Sequence, residues 1–405
     1  MSARGMLAAG LLAATGLVFT NAQPAVADDE LVPIESLGTQ HQIPKPTLTA
    51  SGPHLILSDS PELPDADTAL PGAFYRDSVE GLVRVLGHQQ NNAQVPMVLG
   101  VAVTNTSGRP VLLFDRGVGR SADYWPDVAG QNSLTAFMND HHSAKYLTTL
   151  EAGETYWSTR TVAPTYTEAS IQEFAAVSAG TAGNVGQLQR ALDPDVPTDQ
   201  LRLPRGAAPA KVTVTTVGYW YTEPRPADPL TLPVLPGDTD HVRGTFDYAD
   251  LYGTVPVEPD GGVQRLSVDS APPGKPWNDS MPGEYRLGHS AVDGGAAVYN
   301  DGNYGVLYHL DVVLQGARGA AGTPVGLFLN PAGGGGHFVV AVNDTLHQSQ
   351  YVDWTNAWHY GDGAFGARDV HLRLTTSLTG GSAGPQVLLF APGTTSDSET
   401  QRSSS

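Results

Sequence analysis

The chain has 405 residues, with 22 Lys+Arg, 41 Asp+Glu, 12 His and a formal net charge of −19. That charge argues against non-specific attraction to nucleic acid or anionic membrane. The absence of Cys excludes a disulfide scaffold, thiolate zinc sites, iron–sulfur clusters and a Cys nucleophile. An apolar fraction of 40% is that of a globular chain with material for more than one core.

The first 27 residues read as a secretory signal peptide. Arg4 precedes an apolar run from Met6 to Val18, and Ala25-Val26-Ala27 supplies a small-x-small cleavage pattern ahead of Asp28-Asp29-Glu30. The run is short for a bilayer span, and no later segment is long and apolar enough for one, so no integral membrane association is expected. Residues 28–70 form an acidic lead-in broken by Pro33, Pro44, Pro46, Pro53, Pro61 and Pro64. Proline removes a donor and clashes with a preceding helical turn. An extended path is expected, with a strand at His54-Leu55-Ile56-Leu57.

Residues 71–222 read as a first β-sandwich. Val79, Val83 and Val85 alternate with more polar neighbours, while Leu82 and Leu86 fall on the other parity. The β-branched content favours strands. Val98 to Thr104, the turn Asn105-Thr106-Ser107-Gly108 and Val111 to Phe114 read as strand, turn and returning strand. Leu147 to Leu150 and Thr155 to Val162 repeat the pattern around Glu151-Ala152-Gly153-Glu154. One short helix is expected at Ser133–Asn139. A second is expected from Thr165, with Glu168 as its capping-box partner and Ile171, Phe174 and Val177 facing inward. Lys211 to Tyr221 is a strand.

Residues 223–240 carry Pro224, Pro226, Pro229, Pro233 and Pro236 and read as a linker or a strap. Residues 241–392 read as a second β-sandwich, with strands around Tyr308, Leu327, Val340, Leu372 and Leu388. Residues 393–405 form a polar Ser/Thr-rich tail that reads as disordered. The expected fold is all-β: two β-sandwich domains joined by the Pro-rich linker, with one or two short helices.

Few motifs carry chemistry. Gly380-Gly381-Ser382-Ala383-Gly384 has the spacing of a hydrolase nucleophile elbow, but Pro385 and a strand follow where that elbow needs a helix. It reads as a turn. Gly333 to Gly336 lacks the Lys-Ser/Thr of a phosphate loop, and reads as a turn or as backbone brought close to a ligand with His337 at its edge. Asp140-His141-His142 and Asp238-Thr239-Asp240-His241 offer metal-ligand types without metal-site spacing, so no cofactor is assigned beyond an optional divalent cation. Arg116 and Arg120 near Tyr124 and Trp125 suggest either an anion site or pairing with local carboxylates.

The densest aromatic segment holds Tyr351, Trp354, Trp358, His359 and Tyr360, interleaved with Asp353 and Asn356. Flat rings beside carboxylate and amide groups are how β-sandwich modules hold sugar rings. The alternative is that the rings close one end of the second core. These seven residues are the candidate ligand site, and no catalytic residue is assigned.

Three groups of segments carry a resemblance: Val85-Leu86-Gly87-His88 with Val103-Thr104-Asn105-Thr106; Arg243-Gly244-Thr245-Phe246; and Gly302 to Tyr308 with Leu329-Asn330-Pro331 and Gly380-Gly381-Ser382. Together they resemble secreted bacterial β-rich proteins, mainly of Gram-positive lineages and without an assigned activity. Some of those carry a copper-amine-oxidase-like N-terminal domain. The resemblance implies a secreted envelope protein and transfers no active site, no copper and no amine oxidation.

The expected function is a secreted, non-catalytic binding or cell-envelope-associated protein, with polysaccharide or cell-wall polymer as partner. The alternatives are an extracellular hydrolase acting on glycans or esters, which needs histidines and carboxylates converging in a cleft, and a purely structural surface protein.

Overall fold

A computed structural model describes residues 30–179 and 184–394. The expected signal peptide and nearly all of the expected tail lie outside those residues. The fold is all-β, as the alternating pattern requires, and it is built as two sandwiches.

In the first sandwich a four-stranded sheet orders Thr155–Val162, Met97–Asn105, Lys211–Trp220 and Gly72–Glu80. It faces a nine-stranded sheet whose centre is His54–Ser58, Leu82–Gln90, Thr167–Ala179 and Val111–Asp123. Tyr75, Val83, Val85, Val101, Val103, Leu113, Phe174, Val212 and Val214 fill the space between them. In the second sandwich two six-stranded sheets enclose Leu251, Val255, Leu266, Leu310, Val312, Leu327, Trp358, Tyr360, Leu374, Leu388 and Phe390.

The strand–turn–strand segments of the first sandwich are strands, but they are not hairpins. Met97–Asn105 lies in the four-stranded sheet and Val111–Asp123 in the nine-stranded one, so the chain crosses the core at the turn. Lys145–Leu150 and Thr155–Val162 cross in the same way. Gly81, at φ +81°, makes the crossing between Gly72–Glu80 and Leu82–Gln90. Local turn signals mark where a strand ends, not which sheet the next strand joins.

The helix expected from Thr165 is instead the strand Thr167–Ala179. Ile171, Phe174 and Val177 are all buried at a three-residue spacing, which imitates a helical stripe. The reason is tertiary. This strand is central and both faces of its sheet are covered, so Phe174 is buried in the first core while Ile171 and Val177 are buried on the opposite face. The helix expected at 133–139 is present and longer, as α1 (Pro126–Asp140, 15 residues), with Pro126 at its first position. A second helix, α2 (Val185–Ala191), was not expected; Asn184 caps it by accepting from the Gln187 amide.

The nine-stranded sheet is covered on both faces, which explains the two parities of Leu82–Gln90. Val83 and Val85 face the first core, while Arg84 and Leu86 face the second sandwich. Ile56 and its neighbours Leu55 and Leu57 divide in the same way.

The lead-in is part of the sheets. Leu31–Pro33 and Gln40–Gln42 form the two edges of one second-sandwich sheet, Thr49–Ser51 edges the other, and His54–Ser58 pairs in parallel with Leu82–Gln90. After the Pro-rich segment, Arg243–Phe246, Gly288–Ser290 and Ala296–Val298 extend the nine-stranded sheet. The sandwiches therefore exchange strands instead of dividing the chain at 223–240. That segment is a docked strap. Arg76 donates to the carbonyls of Pro229 (2.7 Å) and Leu232 (2.8 Å), and the Ala73 backbone bonds Pro233 and Leu235 on either side of Val234. Among the described residues, no helix is long and apolar enough to cross a membrane.

Candidate functional site

The strand Val111–Asp123 delivers Tyr124 and Trp125 to the start of α1, where their rings meet edge-to-face at 5.2 Å. Asp127, in the first turn of α1, places Oδ2 2.8 Å from His337 Nδ1. His337 follows the short strand Gly335–Gly336, which pairs with Val352–Asp353, and its ring meets Tyr351 at 5.7 Å. The glycine run is thus a turn whose edge carries His337 into contact with Asp127 and Tyr351.

Four aromatic side chains on these segments remain in solvent: Tyr124 (53% exposed), Trp125 (62%), Tyr351 (55%) and Trp354 (64%). Rings of this size are on average largely buried, so four left in solvent on neighbouring segments form the candidate binding surface. The His337–Asp127 pair links the two segments that carry these rings.

The seven expected ligand residues separate. Tyr351 and Trp354 belong to this face. Asp353 Oδ1 accepts from the Thr355 amide (2.9 Å), the Thr355 hydroxyl (2.6 Å) and the Asn356 side-chain amide (2.9 Å), so Asp353 and Asn356 close the turn that presents Trp354. Trp358, His359 and Tyr360 lie on the strand Asn356–Ala364, where successive side chains point to opposite faces. Trp358 and Tyr360 are fully buried in the second core, and His359 turns the other way against Phe328 and Asp362. Burial of Trp358, His359 and Tyr360 takes them out of the ligand site, because a packed strand has no room for a sugar against their rings.

Ser382 is no nucleophile. It is buried, and its hydroxyl bonds Thr379 and both the amide and the carbonyl of His337. Gly381, at φ +76°, lies so close to Pro126 and the Asp127 amide that a side chain there would collide with the start of α1. The segment is a turn that braces the aromatic face.

The other end of α1 opens on a cleft between the sandwiches, with a cavity of about 760 Å3. His141 and His142 line it from the first sandwich, and Asp250, Tyr252, His309, Arg373 and Thr375 from the second. Two of its histidines rest on buried carboxylates: His141 Nε2 lies 3.2 Å from Glu173 and His309 Nε2 3.5 Å from Asp250. The other nitrogen of His309 lies 3.4 Å from the Thr375 hydroxyl, and Tyr252 stacks on the His309 ring at 4.7 Å.

Behind them Arg84 bonds both carboxylates and Arg116 bonds Glu173 at 2.7 Å. Burial pushes the Glu173 carboxyl up, but the charges of His141, Arg116 and Arg84 outweigh it and hold the group well below the usual range. For Asp250, burial is likewise outweighed by Arg84, followed by the His309 contact.

The hydrolase alternative needs histidines that converge, but among the described residues His88, His142, His337 and His359 lie apart. Their separate acidic neighbours are Asp59 and Glu62, Asp195, Asp127, and Glu30 with Asp362. Arg116 and Arg120 pair with Glu173 and Glu168, which removes the anion-site reading. The residues that do converge, His141, Glu173, Asp250 and His309, were not singled out together. One signal was available: Arg84 stands between Val83 and Val85 in a strand with apolar residues on both parities, and a buried Arg demands buried carboxylates.

No protein family matches the chain, and no curated protein matches it. A solved structure of a mutant oxalate decarboxylase from Bacillus subtilis aligns over 89% of this chain and 80% of its own, at 10% identity and a TM-score of 0.12. At that score it carries no argument about this chain.

Proposed function

We propose that the protein is a secreted, non-catalytic binding protein that holds a polysaccharide or cell-wall polymer on the face formed by Tyr124, Trp125, Tyr351 and Trp354. The observation that carries this reading is the exposure of four aromatic rings, contributed by both sandwiches, around one His–Asp pair. The apolar faces of sugar rings stack on aromatic rings, and the rim of hydroxyls suits an acidic, hydrogen-bonding surround. Rings exposed on the surface fit an extended polymer better than a small ligand, which favours a cavity. Export is supported by the Met6–Val18 run and the Ala25-Val26-Ala27 pattern.

The test is retention of the purified protein on a panel of insoluble polysaccharides and cell walls. Retention on at least one polymer is expected, lost in Trp354→Ala and Trp125→Ala variants with unchanged melting. Retention that survives both substitutions removes the face from the function. N-terminal sequencing of the exported protein should begin at Asp28.

A second reading places glycan or ester hydrolysis in the cleft. It is favoured by the alignment of Thr375, His309 and Asp250, a hydroxyl, a base and a buried carboxylate in sequence. Release of reducing ends or acid from the same polymer panel, abolished by His309→Ala, would support it. Absence of turnover on every polymer that the protein retains leaves the binding reading alone.

A further inference from the structure

A third cluster lies where the lead-in, the nine-stranded sheet and the strap meet. His54–Ser58 pairs in parallel with Leu82–Gln90, with Ser58 opposite Gly87, so the next residues, Asp59 and His88, come alongside. The Gln90 amide bonds the Glu62 carbonyl at 2.8 Å and brings Glu62 to the same point. One atom from each of Asp59, Glu62 and His88 falls within 4.8 Å of the others. His88 Nδ1 is 3.5 Å from Asp59 Oδ1 and 3.4 Å from Glu62 Oε1.

These separations carry the inference. A protonated imidazole held between carboxylates closes to about 2.7–2.9 Å. Two ligands at about 2.1 Å from one ion in tetrahedral geometry lie about 3.4 Å apart. His88 is 4% exposed, and Asp59 Oδ1 and His88 Nε2 are buried atoms with no hydrogen-bond partner among the described residues. Asp59 Oδ1 thus faces His88 Nδ1 at 3.5 Å, longer than a closed charge-assisted hydrogen bond, while Nε2 of the same ring points toward Gly380.

The surrounding groups orient the carboxylates. His241 Nε2 lies 2.9 Å from the second oxygen of Glu62, its other nitrogen lies 3.0 Å from Asp238, and Asp238 accepts from the Glu62 amide at 3.0 Å. The Asp59 amide donates to the Val242 carbonyl at 3.2 Å. Glu62 is therefore tied through Asp238 to the end of the strap, and the Asp59 backbone is tied to Val242 just after it.

We propose that Asp59, Glu62 and His88 bind one divalent transition-metal ion of the zinc class, with His241 and Asp238 positioning Glu62. A nitrogen ligand with two carboxylate oxygens suits zinc and its neighbours; calcium takes oxygen ligands in greater number. The ion joins the lead-in to the sheet and, through Glu62, to the strap.

The test uses the full chain without a histidine tag, freed of metal with a chelator and titrated with Zn2+ and, separately, Co2+. One ion per chain and a visible Co2+ absorption band are expected. Because His88→Gln alters a buried group and can misfold, Asp59→Asn and Glu62→Gln carry the decision. Each should weaken binding by at least about tenfold while melting as a folded protein. His309→Ala, which alters the cleft, should leave the affinity unchanged. A folded wild-type chain that takes up neither ion, an affinity unmoved by both carboxylate substitutions, or uptake of Ca2+ in place of Zn2+ overturns the proposal.

Discussion

Arg84 reaches Asp250 across the seam between the two sandwiches. One guanidinium nitrogen lies 2.9 Å from the Asp250 carboxylate and 2.7 Å from Glu173, and the side chain is wholly buried. The other terminal nitrogen bonds the carbonyls of Ala249 and Gly305. Replacing Arg84 by Leu strands two buried carboxylates and should cost about 3 to 5 kcal/mol, read as a lower urea midpoint. An unchanged midpoint would mean that the seam contributes nothing to the fold.

The aromatic segment separates into two kinds of residue with opposite mutant signatures. Trp354→Ala should abolish polymer retention and change stability by less than about 0.5 kcal/mol, because the ring is in solvent. Trp358→Ala should cost about 3 to 5 kcal/mol, because it opens a cavity in the second core. Paired binding and thermal-melting measurements on the two variants distinguish these outcomes directly.

Two buried carboxylates give the stability profile slopes of opposite sign. Glu284 accepts from Tyr308 (2.8 Å) and from the amides of Asp269 (3.0 Å) and Met281 (2.6 Å), yet burial dominates and pushes it from 4.5 to about 7. Its folded value is raised, so the stability it contributes is complete below pH 4.5 and is lost as pH rises through about 7. The loss is on the order of 3 kcal/mol. Glu284→Gln should flatten this part of the profile.

Glu173 has a lowered folded value, so its contribution is present above the ordinary carboxylate range and is lost as pH falls. Glu173→Gln should remove part of the acid limb of the denaturation curve and leave the neutral limb in place. A wild-type acid limb reproduced unchanged in this variant would assign acid unfolding to other groups.

The strap gives a prediction that does not depend on function. Arg76→Ala removes the two bonds to Pro229 and Leu232. Hydrogen exchange should speed up at the Leu235 amide, which bonds Ala73 at 2.8 Å, while the amides of Lys211–Trp220 keep their protection. Equal exchange in both forms would mean that backbone pairing alone holds the strap.

Much of the architecture was legible in the sequence because its signals are local. Alternation of Val and Leu with polar residues, punctuated by Gly, Pro and Asn, identifies strands and turns. The helix expected at Ser133–Asn139 exists but begins earlier, at Pro126, a position that favours Pro. The exposed pair Tyr351 and Trp354 was within the aromatic segment read from the sequence, but a binding ring and a core ring are the same residue type. Only the strand direction at Asn356–Ala364 decides that Trp358 and Tyr360 point inward.

What the sequence by itself determined, then, was composition and most of the strands and turns, because each depends on residues within a few positions of one another. The tertiary structure decided which sheet each strand joined, that Thr167–Ala179 is a strand and not a helix, and that the Pro-rich segment is docked. It also brought Arg84 to Asp250, Asp127 to His337 and Asp59 to His88, pairs separated in the chain by 166, 210 and 29 positions. Contacts at such separations depend on packing between whole sheets, and no local pattern of residue types encodes them.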